Sequence, residues 1–142
     1  NVVHITGEGN RLREKEKQGY IQKEFLHHDF GDVLAAASVV VSRAGANSIY
    51  ELLALRKPHL LVPLPKTSSR GDQLENAKKF CELGYSRFIE EDLLADDIFI
   101  QELKNLMENK TSIEKQMANF KTPDAVSIII KEIKKITGQT SV

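Results

Sequence analysis

The sequence predicts an α/β fold: a Rossmann-like parallel sheet with helices on both faces. Two observations carry this. Short apolar runs of strand length, at residues 2–6, 20–26, 39–42, 59–62 and 87–90, alternate with amphipathic segments of helical period. Glycine or proline marks most of the switches, and strands that alternate with helices at this spacing build parallel sheets.

The elements follow in order. Residues 2–6 read as a short buried strand closed by the turn Gly7, Glu8, Gly9, which lacks the third glycine of a dinucleotide fingerprint. Residues 11–18 are highly charged with only Leu12 apolar, so an exposed helix or a loop is expected. A second strand at 20–26 leads to a helix at 29–37, a third strand at 39–42 and a helix at 48–55. The fourth strand, 59–62, runs into a polar loop, and a helix at 72–83 ends at Gly84. After a fifth strand at 87–90 the chain is helical, at 97–107, at 112–119, and at 124–136 following Pro123. In the last helix Val126, Ile129, Ile130 and Ile133 form an apolar stripe that must pack on something. The first strand begins almost at residue 1 with no methionine ahead of it, which suggests a domain cut from a longer protein.

At 142 residues the chain has the length of one domain with its own core. Its 41% hydrophobic and 28% charged residues are those of a globular protein. The 20 basic and 20 acidic residues cancel, which argues against a nucleic-acid module with a broad positive face. No apolar stretch approaches the roughly 18 residues that cross a bilayer, so the cytoplasm is the expected compartment. The lone Cys81 reads as a small buried apolar residue. His27 and His28 are adjacent and point apart, a poor metal-ligand pair. No D-x-D sequence occurs, so neither metal nor cofactor is expected.

Residues 42–51, SRAGANSIYE, join strand, glycine turn and helix start. That order suits a phosphate, because the first N–H groups of a helix lack intrahelical partners and the helix dipole attracts an anion. Gly45, without a Cβ, lets a ligand approach the main chain. A competing reading is equally local: Ser48 and Glu51 fit an S-x-x-E capping box, which only satisfies a helix start. The loop at 66–71 also follows a strand, so it is expected on the same sheet edge as the turn, facing one cleft.

The run SRAGANSIYELLAL at 42–55, VPLP at 62–65 and DQLENA at 72–77 occur in that order, and together they resemble the donor-nucleotide half of the MurG family, bacterial N-acetylglucosaminyltransferases of peptidoglycan synthesis. The resemblance covers most of residues 2–95. It implies one half of a GT-B glycosyltransferase, with residues 1–142 as the C-terminal nucleotide-sugar-binding domain. The acceptor domain and the first strand of this domain, with its Gly- and Ser-containing loop, are then absent. It further implies UDP-N-acetylglucosamine as donor, and inverting transfer to a lipid-linked muramoyl-pentapeptide at the inner membrane face. Both acceptor and membrane are met by the other domain. In this frame Leu26 offers main-chain atoms to uracil beside Phe25, and Glu51 takes the ribose diol. The diphosphate lies on the stretch Gly45, Ala46, Asn47, Ser48, Ile49 and Tyr50. Gln73 meets the sugar hydroxyls, with the Ala46 N–H beside it and Asp72 second. Arg43 adds charge to the phosphate or forms a structural ion pair, and Asn76 contacts ligand or braces the loop. The catalytic base belongs to the other domain, so no catalytic residue is assigned. Two alternatives stay open: a separate donor-binding subunit of a dolichol-type N-acetylglucosaminyltransferase, and a nucleotide-sugar epimerase or binding module.

Overall fold

A computed structural model describes residues 1–13, 17–120 and 124–137. Its elements run β1 (Val2–Ile5), β2 (Tyr20–Lys23), α1 (Phe30–Ala36), β3 (Val40–Ser42), α2 (Ala46–Ala54), β4 (His59–Leu61), α3 (Asp72–Glu82), β5 (Ser86–Phe88), α4 (Asp96–Ala118) and α5 (Ala125–Thr137). All strand pairs are parallel, as the βα alternation requires. The expected single sheet is instead two: β1 pairs with β2, and β3, β4 and β5 form a second sheet in that order. β4 is central and fully buried, because His59, Leu60 and Leu61 have a strand on each side and helices packed over them.

The core lies on the three-stranded sheet. Ile49 and Leu53 of α2, Ala77 and Phe80 of α3, and Leu106, Ile113 and Met117 of α4 close over Leu60 and Leu61. Each such Leu or Ile removed from water contributes about 1.5–3 kcal/mol, which makes this half the stable one. The first strand is not buried as the sequence suggests: Val2, Val3 and Ile5 are exposed, because β1 has only β2 beside it. Residues 11–13 form no helix. Gln22, buried at the strand pair, accepts the Leu12 N–H on its Oε1 at 2.8 Å and holds that segment down.

The two helices expected at 97–107 and 112–119 are one helix of 23 residues. The polar stretch Glu108, Asn109, Lys110, Thr111 holds neither Gly nor Pro, and the buried face Leu106, Ile113, Met117 continues across it. α3 ends in a Schellman motif, the Gly84 N–H on the Cys81 carbonyl and the Tyr85 N–H on that of Phe80, with Gly84 at φ +74°. Cys81 on that helix is half-buried rather than buried, and burial pushes its thiol up. Asp124 caps α5 through the Ser127 N–H at 3.0 Å. Pro123 lies outside the described residues. The apolar stripe of α5 does not pack: Val126, Ile129, Ile130 and Ile133 all stand exposed.

Candidate functional site

The turn at residues 43–45 and the loop at 62–71 leave the carboxyl ends of neighbouring parallel strands, where Ser42 pairs with Leu61. They therefore open on one edge of the sheet, the edge at which open parallel sheets bind ligands. α2 starts at Ala46 with Gly45 as its N-cap, and no side chain caps it. Ser48 is thus the third helical residue and not the cap, and the capping-box reading fails on geometry. Its consequence is chemical. Among the described residues the N–H groups of Ala46, Asn47 and Ser48 enter no hydrogen bond, the first helical bond being that of Ile49 to the Gly45 carbonyl at 3.0 Å. Three exposed residues thus present orphan donors at the positive end of a helix.

Gly45 has φ −68°, so its backbone does not demand glycine, and a Cβ built there meets nothing within 4 Å. The space in front of the turn is open. Glu51 is exposed on α2 one turn beyond Asn47. Ile49 and Tyr50 have other commitments. Ile49 is fully buried, and the Tyr50 ring stands edge-on to Phe80 at 5.8 Å and tilted to Phe120 at 6.0 Å. Their side chains fasten α2 to the core.

Arg43 takes the structural reading. Its guanidinium donates to the Val62 carbonyl at 3.2 Å and to Glu91 at 2.8 Å, and holds that carboxyl below the usual carboxylate range. Gln73 accepts the Leu64 N–H on Oε1 at 3.1 Å, and its NH2 enters no hydrogen bond among the described residues. Asn76 donates to the Ala44 carbonyl at 3.2 Å. Asp72 is exposed in the first turn of α3, behind Gly71 at φ +88°. Leu26 lies past the end of β2, in the other sheet, and its N–H and carbonyl enter no hydrogen bond among the described residues. A cleft of about 400 Å³ beside the site is lined by Pro63, Pro65, Thr67, Leu74, Lys78 and Glu90, on the α3 to β5 side, and does not include the turn or Glu51. The turn is an open ledge with one wall. Periodicity alone gave no sign of the bonds from Arg43, Gln73 and Asn76, because each joins residues far apart in sequence.

Comparison with known proteins agrees with this geometry. The model of the glycosyltransferase family 28 C-terminal domain matches residues 1–132. A Clostridium tetani protein named UDP-N-acetylglucosamine--N-acetylmuramyl-(pentapeptide) pyrophosphoryl-undecaprenol N-acetylglucosamine transferase is 46% identical over 136 residues, 95% of this chain and 38% of that protein. One of the same name from Staphylococcus aureus is 45% identical over 119 residues, 84% of this chain and 33% of that protein. The chain thus spans under two fifths of the length of these curated relatives. Among solved structures, Acinetobacter baumannii MurG superposes with a TM-score of 0.77 at 19% identity, over 95% of this chain and 40% of that one, which shows the fold. A kitacinnamycin glycosyltransferase does so at 0.69 with 20% identity, over 82% of this chain and 29% of that one. With its parallel sheets, helix-start ledge and nearly complete family match, the chain belongs to the glycosyltransferase family 28 C-terminal domains.

Proposed function

We propose that this chain is the donor-nucleotide half of a MurG-like inverting glycosyltransferase, which moves N-acetylglucosamine from UDP to a lipid-linked muramoyl-pentapeptide in peptidoglycan synthesis. The observation that carries the reading is the uncapped start of α2, with the N–H groups of Ala46, Asn47 and Ser48 unbonded and Glu51 exposed beside them. The names of the relatives at 44–46% identity favour it over a dolichol-type subunit or an epimerase. In transfer the bond from the sugar to the β-phosphate breaks and UDP leaves with added charge. Helix-start N–H groups and the Ser48 hydroxyl stabilise that charge where it develops. The Glu51 carboxylate accepts from both ribose hydroxyls, the Leu26 main chain pairs with uracil, and the Gln73 NH2 donates to a sugar hydroxyl, aided by Asp72. The base that deprotonates the acceptor lies in the rest of the polypeptide, together with the surface that meets the lipid at the cytoplasmic membrane face. The break between the β1–β2 pair and β3 supports a first strand, with its glycine and serine loop, that the rest of the polypeptide inserts there.

The test is UDP binding by titration calorimetry. Glu51→Ala removes a charge-assisted hydrogen bond of about 1.5–3 kcal/mol, so affinity is expected to fall roughly ten- to a hundredfold. Unchanged affinity would mean that Glu51 does not touch the nucleotide.

A further inference from the structure

The N-terminal half of α3 sends two side chains to the main chain of two different loops. Gln73 Oε1 accepts the Leu64 N–H of the loop after β4, and Asn76 Nδ2 donates to the Ala44 carbonyl of the turn after β3. The partners dictate which amide atom is used, since an N–H meets only the oxygen and a carbonyl only the NH2. Three residues apart, the two side chains share one face of the helix.

Ala44 is fully buried, so its carbonyl has no water to turn to and needs this donor. The peptide joining Ala44 to Gly45 is planar and trans, so a carbonyl drawn toward α3 turns the Gly45 N–H the opposite way. That N–H adjoins the three open donors of α2. The direction of the Gly45 N–H, the donor that precedes the three of α2, is therefore set in part from α3.

We infer that Asn76 is a positioning residue for donor binding: through the Ala44 carbonyl it fixes the peptide that opens the phosphate turn, and with Gln73 it couples that turn to the sugar-side loop. The inference rests on the donor site proposed above. Asn76 Nδ2 touches the Ala44 carbonyl and acts through the turn.

The experiment uses the full-length polypeptide carrying this chain, assayed with UDP-N-acetylglucosamine and lipid-linked acceptor, with UDP affinity measured separately. Asn76→Ala keeps α3, because Ala is the best helix former, and removes the amide that donates to the Ala44 carbonyl. Donor KM and UDP Kd are expected to rise about tenfold, the loss of one buried hydrogen bond, while acceptor KM stays as in the wild type. Asn76→Asp, which sets a carboxylate against a carbonyl, should raise both further. Reduced thermal stability with unchanged donor KM and UDP Kd in both variants would make Asn76 a structural brace and overturn the inference. A wild type that binds no UDP would overturn the donor-site reading and the inference with it; a wild type that binds UDP no better than Asn76→Ala overturns the inference alone.

Discussion

His59 shows how a residue can be costly without belonging to the site. It is fully buried in β4, its Nδ1 bonds to the Lys57 carbonyl at 2.8 Å, and its Nε2 has no partner among the described residues. In register beside it on β5, the buried Ser86 hydroxyl is likewise unpartnered. Burial lowers the His59 pKa from 6.5, so the folded chain declines a proton that the unfolded chain accepts. The stability this group permits is complete above pH 6.5 and is lost as pH falls below it, toward the depressed folded value. Unfolding free energies from urea titrations between pH 7.5 and 5.5 should drop as pH falls in the wild type, with a slope of at most about 1.4 kcal/mol per pH unit, and stay flatter in His59→Leu. Equal slopes in the two would assign the dependence elsewhere. Ser48 teaches the complementary lesson about polar residues. Its sequence context fits a cap, yet Gly45 holds the cap position and Ser48 stands third in the helix.

Helix starts decide the geometry of the ledge, and Gly71 makes one of them. It caps α3 at φ +88°, a left-handed conformation that costs an L side chain about 1–2 kcal/mol. A Cβ there would meet Lys66 only at ordinary van der Waals distance, so the backbone alone carries the penalty. Gly71→Ala should lower unfolding free energy by about that amount in denaturant titration, and no loss would show that the loop relaxes freely. The α3 start was legible in sequence because glycine and the change from polar loop to apolar period mark it, whereas α2 starts two residues ahead of the expected Ser48, with Gly45 as its cap. The fusion of two expected helices into α4 was not, since a polar stretch such as residues 108–111 reads as a loop until the packing of Ile113 and Met117 is known. The ledge residues were singled out by motif. What each side chain bonds to was hidden: Arg43 to Glu91, Gln73 to Leu64 and Asn76 to Ala44 are long-range pairings that no local period encodes. The burial of β1 was misread for a related reason. An apolar strand signals that something covers it, not whether the cover lies in the same stretch of chain.

Those uncovered surfaces bear on the molecule as a whole. β1 exposes Val2, Val3 and Ile5, β3 exposes Val41, and α5 exposes Val126 at 67% and Ile136 at 85%. Apolar area of this kind, gathered on strand edges and one helix face, marks surface that meets another segment. An unpaired parallel edge is also a row of open N–H and carbonyl groups. If the rest of the polypeptide inserts a strand between β1 and β3, those edge groups become bonded on both sides, and their exchange with solvent slows. β4 is already central and gains nothing. Hydrogen exchange followed by mass spectrometry therefore separates the cases: peptides covering residues 2–5 and 40–42 should exchange more slowly in the full-length polypeptide than in this chain, by about tenfold or more for each 1.4 kcal/mol of added protection. The peptide over 59–61 serves as the reference and should stay the same. Equal exchange at β1 and β3 in both forms would mean that the gap in the sheet is not filled by a strand of the longer polypeptide.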